Sequence, residues 1–365
     1  MELAEMSNSI SVALAKHMSD AQNKKREELL LSIKFYNERL DKWTVNEPIP
    51  KIYKKSIEEY WGLLLPNINV TFGVEKYGAV SGYFDVDYIH DGLFYSIIDP
   101  FFNYTSFATQ FDNKAYYPLL FRDIKQPHTI ALRLNGCWLD SDYKLLSFKD
   151  VLDTCVRERN VVIKFCRYTS GGNGIIFKNN VNLIELEQLL KSTNVDIVIQ
   201  EIVKQHPQLS RLHSTSVNTI RIMTLLWNNE VIVLSSVLRM GINGACVDNA
   251  SFGGIVCGIE NDGKLKSIAY DKNGNKYYCH PQGMRFNEVI IPNFKSTEQL
   301  AIKLQARFPY CKMISWDIAI DKNGEPLLIE ANLSRGELDF HQFCNGAIFG
   351  TLTKDIITLI AKSIL

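Results

Sequence analysis

Trp316-Asp317-Ile318-Ala319-Ile320-Asp321-Lys322-Asn323-Gly324-Glu325-Pro326-Leu327-Leu328-Ile329-Glu330-Ala331-Asn332 sets two apolar runs on either side of an Asn-Gly pair, the pattern of a β-hairpin. Asn-Gly favours a two-residue turn. That turn sets Lys322 opposite Glu325 and, counting back, Asp317 opposite Glu330. Asn332 lies two residues beyond Glu330 and shares its face, because strand side chains alternate. Carboxylates placed opposite one another repel, and a hard divalent cation between them removes the repulsion. Asp, Glu and Asn oxygens suit Mg²⁺, which also takes water and phosphate oxygens. The competing reading is a surface hairpin with two exposed acids, against which the flanking Ile318, Ile320, Leu328 and Ile329 speak. A bulge at Pro326 would shift the register.

Further upstream, Val161–Phe165 is a β-rich run with a lysine, Lys164, inside it, followed by Ser170-Gly171-Gly172-Asn173-Gly174-Ile175. A lysine among apolar residues must find an anion or snorkel to water, and a glycine-rich loop can bring backbone N–H groups to a phosphate. Neither G-x-x-x-x-G-K-[ST] nor G-x-G-x-x-G is present, and a plain hairpin loop with a solvent-facing lysine is the alternative. Ser216-Val217-Asn218-Thr219-Ile220-Arg221-Ile222-Met223-Thr224-Leu225 carries an arginine in an apolar strand, costly unless paired. Its fork suits phosphate or carboxylate; an internal ion pair fits equally.

Short β-rich runs recur from residue 130 onward, at 161–165, 175–178, 195–200, 217–227, 231–240, 314–320 and 327–331. Helical segments intervene at 114–122, 147–158, 182–192 and 296–307, and turns are marked at Asn228-Asn229, Asp262-Gly263 and Asn273-Gly274. Hairpins mixed with helices predict an α+β fold with largely antiparallel sheets rather than a doubly wound parallel one. Residues 7–45 are expected to be helical, ended by Pro48 and Pro50, and the aromatics of 51–105 to pack a core.

The whole chain has 365 residues, with 40 Lys+Arg balancing 40 Asp+Glu. A zero net charge argues against a nucleic-acid binder. Hydrophobic residues at 46% and charged at 22% suffice for a buried core. No run approaches the ~18 apolar residues of a membrane span, and the N-terminus has no secretory apolar region. The eight cysteines form no C-x-x-C pair, so ordinary thiols of a cytoplasmic protein are expected. The histidines show no metal spacing, and no G-x-S-x-G is present.

In chain order, Lys114, Lys164, the loop at 171–174, Gln200-Glu201-Ile202-Val203, Arg221, Asp317 and Glu330-Ala331-Asn332 resemble the ATP-grasp superfamily. SVNTIRIMTL (216–225), VDNASFGGI (247–255), HPQG (280–283), IP (291–292) and SWDIAIDKNGEPLLIEAN (315–332) resemble its sugar-transfer associated branch, over residues 85–350. The resemblance implies two α+β subdomains clamping ATP behind a helical N-terminal extension. The limits would be 1–105 for a helical, aromatic-rich region, 106–205 for a lobe with the glycine lid, and 206–365 for a lobe with the metal site. It implies that Lys114 and Lys164 contact ATP phosphates, that Gly171, Gly172 and Gly174 close over them, and that Glu201, Val203 and His206 hold the rest of the nucleotide. Asp317, Glu330 and Asn332 would hold Mg²⁺. Arg221, with Lys164 and Asn218, would serve the transferred phosphoryl group, and Asp248, Asn249, Gly253, Gly254 and Arg335 would face the substrate. The implied chemistry is carboxylate–amine ligation through an acyl phosphate in capsule or exopolysaccharide synthesis, joining an amino acid to a sugar acid. A phosphotransferase of the same fold and a nucleotide-binding scaffold of glycan assembly are the alternatives.

Overall fold

The computed structural model describes residues 2–167, 174–248 and 253–364. Gly171, Gly172 and Asn249, and with them the lid expected over the phosphates, lie outside the described residues.

Two units form by internal contact: Met1–Phe102 with Gly346–Leu365, and Asn103–Asn345. The first is helical. Its opening helix is Glu2–Leu40, ending five residues before the expected limit. In Lys51–Leu64 the buried Tyr53, Ile57 and Trp61 recur every fourth residue, so one stripe faces inward. Gly92 lets its turn press on the opening helix, since a Cβ there would lie 2.7 Å from the Ile33 Cα. The aromatics pack as expected: the Tyr77 ring stacks on Tyr88 at 5.4 Å and meets the Trp43 edge at 5.1 Å. The helix Thr353–Ile364 buries Ile356, Ile357 and Ile360 in this unit, whereas a single C-terminal lobe over 206–365 would have placed it with the strands.

The second unit holds two sheets, both antiparallel throughout. The smaller contains β1 (Thr129–Leu134), β2 (Cys137–Leu139), β3 (Val161–Phe165), β4 (Ile175–Lys178) and β5 (Ile197–Glu201) in the order β2-β1-β5-β3-β4. Val161, Ile163, Ile197 and Ile199 pack against the helices Phe148–Glu158 and Leu183–Ser192. The two-residue period therefore turns Val162, Lys164, Val198 and Gln200 to the opposite face.

The larger sheet contains β6 (Thr219–Trp227), β7 (Glu230–Met240), β8 (Ile255–Ile259), β9 (Leu265–Tyr270), β10 (Lys276–Tyr277), β11 (Met313–Ile320) and β12 (Pro326–Asn332), ordered β10-β9-β8-β7-β6-β11-β12. Ile220, Ile222, Trp316, Ile318 and Leu328 join a core with the helix Phe294–Gln305, leaving Arg221 and Asp317 for the other face. The Asn228-Asn229 turn has both φ angles positive, 50° and 66°, and pairs Trp227 with Glu230, as a two-residue hairpin requires.

The Asn323-Gly324 turn differs from expectation. Asp321, not Lys322, ends the ladder: its N–H donates to Glu325 O at 2.9 Å, and Ile320 pairs with Pro326. The Asp321 carboxylate accepts from the N–H groups of Asn323 and Glu325, both at 2.9 Å. An Asp that folds its own backbone this way favours a wider loop, here of three residues with Gly324 at φ +86°. That alone would slip the register by one. A second irregularity, at Ile329 rather than Pro326, restores it, so that Asp317 pairs with Glu330 after all.

Candidate functional site

Between the two sheets of the second unit lie two adjoining cavities of about 130 and 360 Å³ that share Phe177, Ile202, Val203, Val217 and Cys246. The smaller is walled by Val162, Ile175 and Phe177 on one side and by Asp317, Ile329 and Glu330 on the other. The bulge at Ile329 puts it and Glu330 on the cavity together.

Lys164 reaches the cavity from β3, and its Nζ donates to Gln200 Oε1 at 3.0 Å. Burial, and then the neighbouring Lys114 charge, push its pKa down to about 8. Lys114 follows Asn113, which caps the 3₁₀ turn Lys114–Tyr116, and donates to Glu330 Oε1 at 2.7 Å. Burial would lower the Lys114 pKa, but Glu330 and Asp112 more than reverse this and raise it. Among the described residues Lys164 makes no ion pair of its own and is the kind of group that recruits a phosphate.

Arg221 lies deeper. Its Nε and Nη2 donate to the two Asp317 oxygens at 2.7 Å each, and Nη1 donates to Glu337 Oε2 at 2.8 Å. The internal ion pair left open by the sequence is therefore present, and Arg221 does not line the cavity. Asp317 overcomes its burial through Arg221 and Arg239, and its pKa falls below the usual carboxylate value. Arg239, which the sequence reading passed over, does line the cavity. It is 4% exposed, its Nη1 lies 3.3 Å from Asp317 Oδ2, and its Nε has no partner among the described residues. An arginine inside an apolar strand was the signal that singled out Arg221, and Val237-Leu238-Arg239-Met240 carries it too. Asp248 also lines the cavity, held by Thr219 N–H and Oγ1, with its pKa raised by burial.

Glu201 and Val203 line the cavity. Asn218 does not: its amide nitrogen clamps Gln205 Oε1, Leu209 O and His213 O at 3.1, 2.8 and 3.1 Å, a role in holding the loop. His206 accepts from Gln208 N–H and caps Pro207–Ser210 away from the lining. Gly174, Gly253, Gly254 and Arg335 are likewise absent from the lining; Gly174, Gly253 and Arg335 occupy positive-φ positions.

Among the described residues no group of three or more His, Cys, Asp and Glu side chains could hold a metal. A cation at Asp317 and Glu330 therefore needs the Asn332 oxygen and oxygens of a ligand. The donor types suit Mg²⁺, all three being hard oxygens on paired strands; Glu330 keeps lone pairs beyond its Lys114 bond, whereas Asp317 already accepts from Arg221, Arg239 and the Asn332 amide, so a cation there must displace one of these bonds. Charge points the same way. Lys114, Lys164, Arg221 and Arg239 face Asp317, Glu330, Glu337 and Asp248, so the site offers no net positive charge to a polyphosphate.

A pH prediction follows from Lys164. Its native pKa lies below the ordinary 10.5, so its charged form costs stability at neutral pH, and this cost lifts as pH rises through about 8. Polyphosphate affinity has the opposite sign and falls over the same interval as the ammonium is lost. Nucleotide titrations at pH 7 and 9 should show the fall, and Lys164→Met should flatten it.

Residues 183–356 match the profile of the sugar-transfer associated ATP-grasp family, the family that the sequence resembles. No curated protein matches the chain. Among solved structures, the ATP-grasp ligase PsnB with minimal precursor, Mg and ADP is 12% identical, with 71% of this chain and 62% of that chain covered and a TM-score of 0.42. A RiPP-associated ATP-grasp ligase of Chryseobacterium gregarium in complex with ADP and a leader and core peptide is 14% identical, covering 70% and 61%, with a TM-score of 0.37. D-alanyl-alanine synthetase A from Vibrio cholerae is 10% identical, covering 69% and 62%, with a TM-score of 0.37. The chain thus spans under two thirds of the length of these relatives, and the likenesses are too distant to assign a function.

Proposed function

We propose that this chain is an ATP- and Mg²⁺-dependent carboxylate–amine ligase. The observation that supports it most is the meeting of Lys114, Lys164, Arg239, Asp317 and Glu330 in one region between two antiparallel sheets, beside the apolar Val162, Ile175 and Phe177. The apolar wall suits a flat base, with Glu201–Val203 at its edge, and the lysines suit phosphates. Asp317, Glu330 and Asn332 would hold Mg²⁺, which when bound supplies the positive charge that the paired side chains lack. A substrate carboxylate oxygen attacks the γ-phosphorus and ADP departs with the bonding pair. An amine nitrogen then attacks the acyl carbon, inorganic phosphate leaves, and the amine gives up a proton. Lys164 and Arg239 neutralise charge at the oxygens, work done by positioning and electrostatics. The family profile, sugar-transfer associated, supports a setting in sugar transfer, and within it we infer a sugar acid and an amino acid as the partners.

The test is product analysis. Incubation with ATP, Mg²⁺, hydroxylamine and a panel of sugar acids should yield a hydroxamate and ADP in equal amounts, the trapped acyl phosphate. A stable phosphorylated acceptor with no hydroxamate would contradict the ligase and favour a phosphotransferase.

A further inference from the structure

Among the described residues β12 is the outermost strand of its sheet, so its outer edge has no strand beside it. The segment 114–125 runs along that edge instead. At one end the Leu328 N–H donates to Lys125 O at 2.9 Å, and Lys125 Nζ meets the Asp321 and Glu325 carboxylates. At the other, Lys114 holds the Glu330 carboxylate at 2.7 Å. Between them stands Tyr117, whose hydroxyl accepts from the Ala331 N–H at 2.8 Å and donates to the Ala331 carbonyl at 3.3 Å. One O–H with two lone pairs can do both, and it serves Ala331 as a neighbouring strand would.

That bond falls between two of the residues assigned to the cation. Ala331 belongs to the core with Trp316 and Ile318, so Glu330 and Asn332 on either side of it share the opposite face. The bulge at Ile329 interrupts the ladder just before them, and a bulge bends its strand and disrupts pairing locally. Beyond it β12 keeps three paired residues, Glu330–Asn332 against Asp317, Trp316 and Ser315, all held from one side. Ala331 is 2% exposed, so its backbone groups need a protein partner. Tyr117 is itself anchored: its buried ring meets Phe121 edge-on at 5.2 Å, its carbonyl accepts from Gln126 Nε2, and Arg307 Nη1 donates to Leu120 O at 2.8 Å. Tyr117 lines neither nucleotide cavity, so any effect on a ligand passes through β12.

We propose that Tyr117 is a positioning residue whose hydroxyl sets the placement of Glu330 and Asn332 for a divalent cation, a role that rests on the Mg²⁺–ATP reading of the site.

Tyr117→Phe keeps the ring and removes the hydroxyl. In calorimetric titrations of a non-hydrolysable ATP analogue into the full chain over a Mg²⁺ series, the half-saturating Mg²⁺ should rise roughly two- to tenfold, the worth of one hydrogen bond, while affinity at saturating Mg²⁺ returns nearly to the wild-type value. A hydroxyl that only supported the fold would lower the melting temperature and leave the half-saturating Mg²⁺ in place, and that result would overturn the proposal. Amide exchange followed by NMR gives a readout without nucleotide. The Ala331 N–H, despite its place on an edge strand, should exchange slowly in the wild type and roughly tenfold faster or more in Tyr117→Phe. Fast exchange in the wild type would overturn the proposal even where the variant does not fold. Wild-type protein that binds the analogue equally well without Mg²⁺ would overturn the reading of the site and this role together; a normal wild-type Mg²⁺ response shared by Tyr117→Phe would overturn the role of Tyr117 alone.

Discussion

Glu330→Gln should lower ATP turnover by roughly 10²–10³-fold, the scale for removing one preorganised electrostatic partner of a reacting phosphate, while the protein still folds. Glu330 is the cross-strand partner of Asp317 and bonds Lys114 at 2.7 Å. The amide keeps the shape and one oxygen but removes the charge that opposes a cation. Its side chain is 27% exposed but that of Lys114 only 14%, so the lost ion pair costs some stability, limited because Asp112 still faces the lysine. ADP release under saturating ATP and Mg²⁺, together with a thermal melt, separates the two effects. Wild-type turnover in this variant would contradict the proposal that Glu330 holds Mg²⁺.

Arg221→Met should behave in the reverse manner and strike the fold. Three of its N–H groups are committed to Asp317 and Glu337, and the Arg221 and Asp317 side chains are 9% and 4% exposed. Removing one partner of such a pair costs about 3–5 kcal/mol, because the other charge stays buried. Adding Asp317→Leu should return part of that loss, with a coupling of about 1–3 kcal/mol in the double-mutant cycle. The pH dependence has a definite sign. The native Asp317 pKa lies below the ordinary 3.8, so the pair contributes stability above that pH and loses it as pH falls further. Urea melts of the four proteins give the cycle. Additive losses would mean that the two side chains do not act as a pair.

The hairpin shows how far local pattern carries. Facing Asp317 and Glu330 could be foreseen, yet the route to it differed. Asp321 widened the turn by folding its carboxylate onto Asn323 and Glu325, and a bulge at Ile329 compensated. Turn width depends on which side chain captures the backbone, a contest that dipeptide preference does not decide. Lys164 was legible because a charge in an apolar strand must be answered. The same rule marks Arg221 and Arg239 alike, and only the pairing of β6 with β7 and β11 reveals that Asp317 takes two bonds from Arg221 and one from Arg239. Asn218 sits in a family-like phrase but serves the 205–213 loop, a role set by contacts that chain order does not show. The place of Thr353–Ile364 escaped for a related reason: its apolar stripe says that it packs, not on what.

The most direct test of the cavity between the sheets as a Mg²⁺–ATP site is calorimetric titration of a non-hydrolysable ATP analogue, with and without Mg²⁺, into the wild type and Lys164→Met. The assignment predicts binding that requires Mg²⁺ and weakens by about tenfold or more in the variant, the loss of one charge-assisted contact of ~1.5–3 kcal/mol. Absence of binding in the wild type, or equal binding without Mg²⁺ and in Lys164→Met, would contradict it.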